Sequence, residues 1–209
     1  MWWRTASPRA RDLALNRAGV VVRARRIQGG EADTVIKLRP VNPSTIDPEL
    51  SRSKAFKIEV DSMPGGYVCS ASFKGVCTGE EVLDVSSGTM PLRKLFSKEQ
   101  RALFTAHAPG VDLDALSILG PTYLLKAKHQ PKAKEFDRPI TVEMWLYPDG
   151  TRVMDISTKS LPKEAFQVAA DFKAYLAGSG IALVADQSAK TKSSLEYFSA
   201  RLLEDGLAG

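Results

Sequence analysis

Short segments whose charges fall on alternate residues constrain this chain more than any other feature. Arg23 and Arg25 sit in GVVVRARR, Lys37 and Arg39 in TVIKLRP, and Lys57, Glu59 and Asp61 in FKIEVD. Lys126 and Lys128 follow in YLLKAKH, Glu143 in ITVEMWLY, and Asp155 and Ser157 in VMDIS. Successive side chains of a strand point to opposite faces, so residues two apart share a face. Each segment therefore reads as a strand with one apolar and one charged face. A sheet with one face in water satisfies that pattern. So does a barrel whose mixed cations and acids point inward, toward a polyanion and its metal.

Charge narrows the choice. The net charge is +5, with a sequence pI near 9.2. Residues 1–40 hold nine Lys or Arg against three Asp or Glu, so the remainder is almost neutral. That distribution favours a concentrated anion site over a uniformly basic nucleic-acid coat. A nucleic-acid partner is therefore not favoured. The two cysteines, Cys69 and Cys77, have no CxxC spacing, which leaves little basis for a disulfide framework or a zinc cluster. They read as small buried apolar residues. No apolar run approaches the ~18 residues of a membrane span, so no membrane association is expected, and a reducing cytoplasm is the expected compartment. His107 and His129 are isolated from any nucleophile, which disfavours Ser–His or Cys–His chemistry. No GxxxxGK[ST] loop occurs, which excludes a P-loop enzyme.

Along the chain, strands are predicted at about 20–27 and 33–39, joined through Gly29-Gly30. A Ser/Pro-rich linker runs to about residue 53, and FKIEVDSM is the next strand. YVCSASFKG reads as strand or the start of a helix. Ser97 with Glu99 and Gln100 resembles a capping box that opens a helix before Pro109. Strands at about 122–129, 139–147 and 151–158 follow, the last two flanking the Pro148-Asp149-Gly150 turn. A helix ending near Gly178 and a final amphipathic helix with Leu195, Phe198 and Leu202 complete the chain. Hairpin connections rather than βαβ crossovers make this an α+β chain with an antiparallel sheet. Residues 1–11 read as an atypical, disordered N-terminus, and 12–209 as one domain.

Paired Arg and Lys side chains suit phosphate oxygens, Arg through its bidentate fork and Lys as a point charge. Acids on the same faces balance those cations or hold Mg²⁺ or Mn²⁺, which prefer oxygen ligands shared with phosphates.

The stretch DLALNRAGVVVRARR, then DTVIKLRP, FKIEVD and VEMWLYPDGTRVMDIS, resembles the CYTH superfamily, the triphosphate tunnel metalloenzymes. Asp12, Leu15 and Gly19 leading into Val22-Arg23-Ala24-Arg25 is similar to the family's D-x-x-L-x-x-x-G segment and L-R-x-R strand. Thr34 to Arg39, with Lys37, resembles its T-x-K strand, and Lys57 to Asp61 its basic-x-E-x-E strand. The resemblance spans residues 12 to about 160. It implies an antiparallel eight-stranded β tunnel with capping helices that binds a triphosphate-bearing small molecule. The expected activity is a triphosphatase-type hydrolysis of inorganic triphosphate, thiamine triphosphate or a nucleotide; adenylate cyclase is less favoured.

Carried over residue by residue, the resemblance gives Arg23, Arg25, Lys37, Arg39, Lys57, Lys126 and Lys128 to phosphate. It gives Glu59, Asp61, Glu143 and Asp155 to Mg²⁺ or Mn²⁺. One departure stands out: the family's N-terminal E-x-E-x-K strand has no counterpart in MWWRTASPRAR, as in a truncated form or a miscalled start. That departure favours the alternative of a non-catalytic module of the same fold that binds polyphosphate, nucleotide or RNA.

Overall fold

In the computed structural model the alternating segments form two antiparallel sheets, and the chain is α+β. The structure describes residues 2–6 (backbone only), 15, 18–63, 66–132, 135–182, 194, 197, 198 and 200. Two compact units emerge: residues 1–61, 68–121 and 188–209, and residues 62–67 with 122–187.

The first unit is built on strands β1 (Trp2–Ala6), β2 (Val20–Arg25), β3 (Ala32–Leu38), β4 (Phe56–Met63), β5 (Gly66–Cys77) and β6 (Leu116–Leu119), in the order β4-β5-β3-β2-β1-β6. The segment Trp2–Ala6, atypical by its sequence, lies as a strand between β2 and β6, with Trp3 opposite both Arg23 and Leu119. YVCSASFKG is strand throughout. Helices α1 (Pro48–Ser51), α2 (Gly79–Ser87) and α3 (Lys98–His107) lie along the chain between the strands. The Ser/Pro-rich linker contains α1, whose first turn is capped by the Asp47 carboxylate.

Pleating separates the two faces of this sheet. On β2, Val20, Val22 and Ala24 are buried while Val21, Arg23 and Arg25 are half-buried. The buried set joins Ile36, Leu38, Ala71 and Phe73 in a core with Val82 and Val85 of α2 and Leu103 and Phe104 of α3. Burial of this kind stabilises by roughly 25 cal/mol per Å² of apolar surface, so it fixes the register and hence which residues share the opposite face.

Helix α3 starts where the capping box places it, Ser97 Oγ accepting from Gln100 N and Gln100 Oε1 from Ser97 N. Helix α2 carries a second capping box, Thr78 with Glu81, and ends at Gly88 in the left-handed region.

The second unit contains β7 (Tyr123–His129), β8 (Ile140–Leu146), β9 (Arg152–Thr158) and α4 (Ala165–Gly178). Its sheet runs β7-β8-β9, and the β8–β9 turn closes with Gly150 N donating to Tyr147 O at 3.0 Å. Val168, Phe172 and Tyr175 of α4 pack with Phe136, Ile140, Val142 and Ile156. The final helix of the sequence reading lies outside the described residues except for 194, 197, 198 and 200. Among the described residues, no helix is long and apolar enough to cross a membrane.

Candidate functional site

Residue parity and strand register together assemble a charged face on the first sheet. Arg25 lies opposite Asp33, Arg23 opposite Val35, and Val21 opposite Lys37. Across β3, Val35 is opposite Lys74 and Lys37 opposite Ser72. Partners opposite one another share a face, so Arg23, Arg25, Asp33, Lys37, Ser72 and Lys74 line one side while the core fills the other. Asp61 of β4 reaches the same side. Its Oδ2 is 3.1 Å from Arg39 Nη1 and 3.7 Å from Lys37 Nζ.

The face divides into two ion clusters. In the first, Asp33 accepts from Arg25 Nε at 3.2 Å and from Arg25 Nη2, with Lys74 Nζ at 3.3 Å from the same carboxylate. Asp33 is buried, its side chain 2% exposed. Burial pushes its carboxyl up, but the Arg25 hydrogen bond and the charges of Arg25, Arg23 and Lys74 outweigh that, and the net shift is downward. It stays ionised at neutral pH.

In the second cluster, burial lowers the Lys37 ammonium below its ordinary range. Asp61 opposes that shift and Arg39 adds to it, with weaker contributions from Glu59 and Arg23. Arg23 thus acts electrostatically on both clusters. Five cations, Arg23, Arg25, Lys37, Arg39 and Lys74, face three carboxylates, Asp33, Glu59 and Asp61. The surplus of two positive charges on a half-buried surface suits an anion.

The sequence-derived residues of this unit fall as follows. Arg23, Lys37, Arg39, Glu59 and Asp61 come together, and Arg25 joins through Asp33. Lys57 shares strand parity with Glu59 and Asp61 on β4 and is exposed. Asp33 and Lys74 are the members that the motif reading missed. Both could have been found from parity, since Asp33 is two residues from Val35 and four from Lys37, and Lys74 ends the alternation Ser70, Ser72, Lys74.

On the second sheet, Lys126, Glu143 and Asp155 form one row across β7, β8 and β9. Lys126 Nζ donates to Glu143 Oε1 at 3.0 Å. Lys128 lies on the same face of β7, exposed, opposite Thr141.

Two carboxylate pairs share a sheet face, Glu59 with Asp61 along β4 and Glu143 with Asp155 across β8 and β9. Among the described residues, no three His, Cys, Asp or Glu side chains converge. Two carboxylates suit Mg²⁺, which keeps several waters and completes its shell with substrate phosphate rather than with a protein cage. Asp61 Oδ2 lies against Arg39 and Lys37, so a cation there would have to share this oxygen with them. Burial pushes the Cys77 thiol up to about 11, which keeps it protonated at neutral pH. Comparison with protein-family models, curated proteins and solved structures returns no match to this chain.

Proposed function

We propose that the charged face of the first sheet binds a triphosphate-bearing small molecule and that the protein hydrolyses it with Mg²⁺ or Mn²⁺. The observation that carries this reading is the five-cation face held by Asp33, Glu59 and Asp61. Half-burial lowers the local dielectric, so charge-assisted contacts to phosphate there are worth more than on open surface. Arg23, Arg25 and Arg39 offer planar forks to phosphate oxygens; Lys37 and Lys74 act as point charges, and Lys57, exposed on β4, adds a sixth cation that the resemblance gives to phosphate. The resemblance to tunnel enzymes accords with the same chemistry, and it separately gives Lys126 and Lys128 of the second sheet a phosphate-binding role.

By the resemblance, Glu59 and Asp61 on the first sheet and, separately, Glu143 and Asp155 on the second would hold Mg²⁺ or Mn²⁺, which when bound supplies Lewis-acid polarisation of a phosphoryl oxygen. The residues of the cradle align the triphosphate and neutralise charge developing on the equatorial and leaving oxygens during in-line attack by water. A second reading, a non-catalytic polyphosphate- or nucleotide-binding module, is favoured by one contact. Asp61 is ion-paired to Arg39 and Lys37, so it serves the cations before any metal.

Thermal unfolding with inorganic triphosphate, with and without Mg²⁺ or Mn²⁺ and with released phosphate read from the same samples, separates the two. Ligand at ~100 times its dissociation constant adds about 2.7 kcal/mol of stability. Metal-dependent release supports the hydrolase, and stabilisation without release supports the binding module. Arg25→Ala is expected to abolish most of the stabilisation while Lys94→Ala, an exposed control, leaves it intact. Equal small effects of both refute the cradle.

A further inference from the structure

We infer that Asp33 is a positioning residue of this cradle, clamping the Arg25 guanidinium by its Nε/Nη2 edge so that its Nη1/Nη2 end is presented to the bound anion. The inference rests on the triphosphate reading above and adds a residue outside the motifs that suggested it.

An arginine guanidinium has two edges with paired N–H donors, Nε/Nη2 and Nη1/Nη2, and the side chain of a free arginine samples many rotamers. Arg25 has one of those edges consumed. Asp33 Oδ1 takes Nε–H at 3.2 Å and Oδ2 takes Nη2. Strand register puts the two residues directly opposite each other, so neither backbone needs to move to make the contact. Among the described residues Nη1 has no hydrogen-bond partner, and the Arg25 side chain is 21% exposed, which leaves that end of the fork accessible.

Asp33 is itself held. It is buried on β3, and Lys74 approaches Oδ2 at 3.3 Å from β5. A carboxylate fixed by two strands therefore fixes a third group on β2. This preorganisation removes rotamer entropy that an anion would otherwise have to meet on binding.

The inference and simple electrostatics predict opposite signs. Asp33→Asn removes a negative charge from a site that attracts anions. By charge alone, triphosphate should bind more tightly. If Asp33 positions Arg25, the loosened fork should weaken binding by about tenfold, the scale of one charge-assisted bidentate contact.

The experiment is calorimetric titration of inorganic triphosphate into the full chain in EDTA, for wild type, Asp33→Asn and Arg25→Lys. Arg25→Lys keeps the charge and folding surface but cannot make the two-point contact. It should lose affinity to a similar extent, and it keeps the test alive if Asp33→Asn does not fold. A second readout is the side-chain ¹H–¹⁵N resonance of Arg25, assigned by its loss in Arg25→Lys. In wild type its Nε–H should exchange slowly with solvent with or without triphosphate. A structural role for Asp33 alone would leave affinity unchanged in folded Asp33→Asn. Unchanged or tighter binding by Asp33→Asn, full affinity in Arg25→Lys, or a rapidly exchanging Nε–H each overturns the assignment. Absence of triphosphate binding by wild type overturns the cradle itself and the role of Asp33 with it.

Discussion

Gln100 ties α3 to the back of the charged sheet, and its removal gives the sharpest test of how the two faces are coupled. Its side chain is fully buried. Oε1 accepts from Ser97 N at 3.0 Å and from Thr34 Oγ1 at 3.2 Å, while Nε2 donates to Phe73 O at 3.0 Å and to Thr34 O at 3.4 Å. One amide therefore closes the helix cap and satisfies groups on both β3 and β5. The space for it exists because residue 75 is glycine. A Cβ there would stand 2.5 Å from Gln100 Oε1 and 2.6 Å from Thr34 Oγ1.

Gln100→Ala forfeits the reciprocal cap, worth about 1 kcal/mol. It also strands the buried Thr34 hydroxyl, at about 1–3 kcal/mol. Together these come to roughly 3 kcal/mol, a fall in melting temperature of roughly 10 °C for a chain of this size. Gly75→Ala is expected to destabilise to a similar degree through the clash. In the double variant the shortened residue 100 no longer meets the new methyl, so the two losses should fall short of additive by about 1 kcal/mol or more. Urea unfolding followed by circular dichroism measures all four corners of the cycle. A loss below ~0.5 kcal/mol for Gln100→Ala, or strict additivity, refutes the account.

Gly19→Ala is expected to cost about 1–3 kcal/mol, because Gly19 holds φ at +71° and its Cβ would lie 3.0 Å from the Arg39 carbonyl oxygen; a urea midpoint unchanged from wild type would refute this. The downward shift of Asp33 makes the unfolded chain the stronger proton binder in acid. Stability conferred by Asp33 is therefore complete above its ordinary value of 3.8 and is lost as pH falls from there through the folded value. The slope of urea midpoint against pH in that acid range should be smaller in Asp33→Asn, and identical slopes would count against the buried ion cluster.

What the sequence made legible was whatever depends on local period or local turn chemistry. The strands around Arg23, Lys37, Glu59, Lys126, Glu143 and Asp155 alternate cleanly, and the structure has strands at all of these places. The Ser97 cap was readable because both halves of the box lie within four residues. Helix α2 was missed although Thr78 and Glu81 have the same spacing, since its apolar residues are few and Gly79 opens it. YVCSASFKG stayed ambiguous because Ser, Ala and Cys have weak preferences; its pairing with β3, a long-range property, makes it strand. Strand β1 was not legible for the same reason, being placed by pairing with β2 and β6 rather than by its own pattern. At the site, motif positions gave the cations but not their counter-ion. Parity alone puts Asp33 on the face of Lys37, but its pairing with Arg25 is set by the β2–β3 register.

Asp33 and Asp61 carry the same charge on the same face, yet their geometry assigns them opposite effects on an anion. Asp33 is enclosed and grips an edge of Arg25 that a ligand does not need. Asp61 has a side chain 36% exposed, and it sits against Arg39 Nη1 at 3.1 Å and Lys37 Nζ at 3.7 Å. It therefore stands where a phosphate oxygen would stand, and an incoming anion must displace it. Removing it as Asp61→Asn should tighten triphosphate binding in EDTA. Partly exposed pairs are worth about 0–1 kcal/mol after screening, so the gain is a few-fold, roughly fivefold at most. Asp61 also provides the largest charge that keeps the proton on Lys37 against burial. Without it the Lys37 proton leaves at lower pH, so the tightened binding should fade on the alkaline side sooner than in wild type. Adding Mn²⁺ should erase the advantage, because the same carboxylate then serves the metal. Calorimetry across pH, with and without Mn²⁺, reads all three effects. Weaker binding by Asp61→Asn in EDTA would mean that Asp61, like Asp33, braces the cations, and the distinction between clamp and competitor would fail.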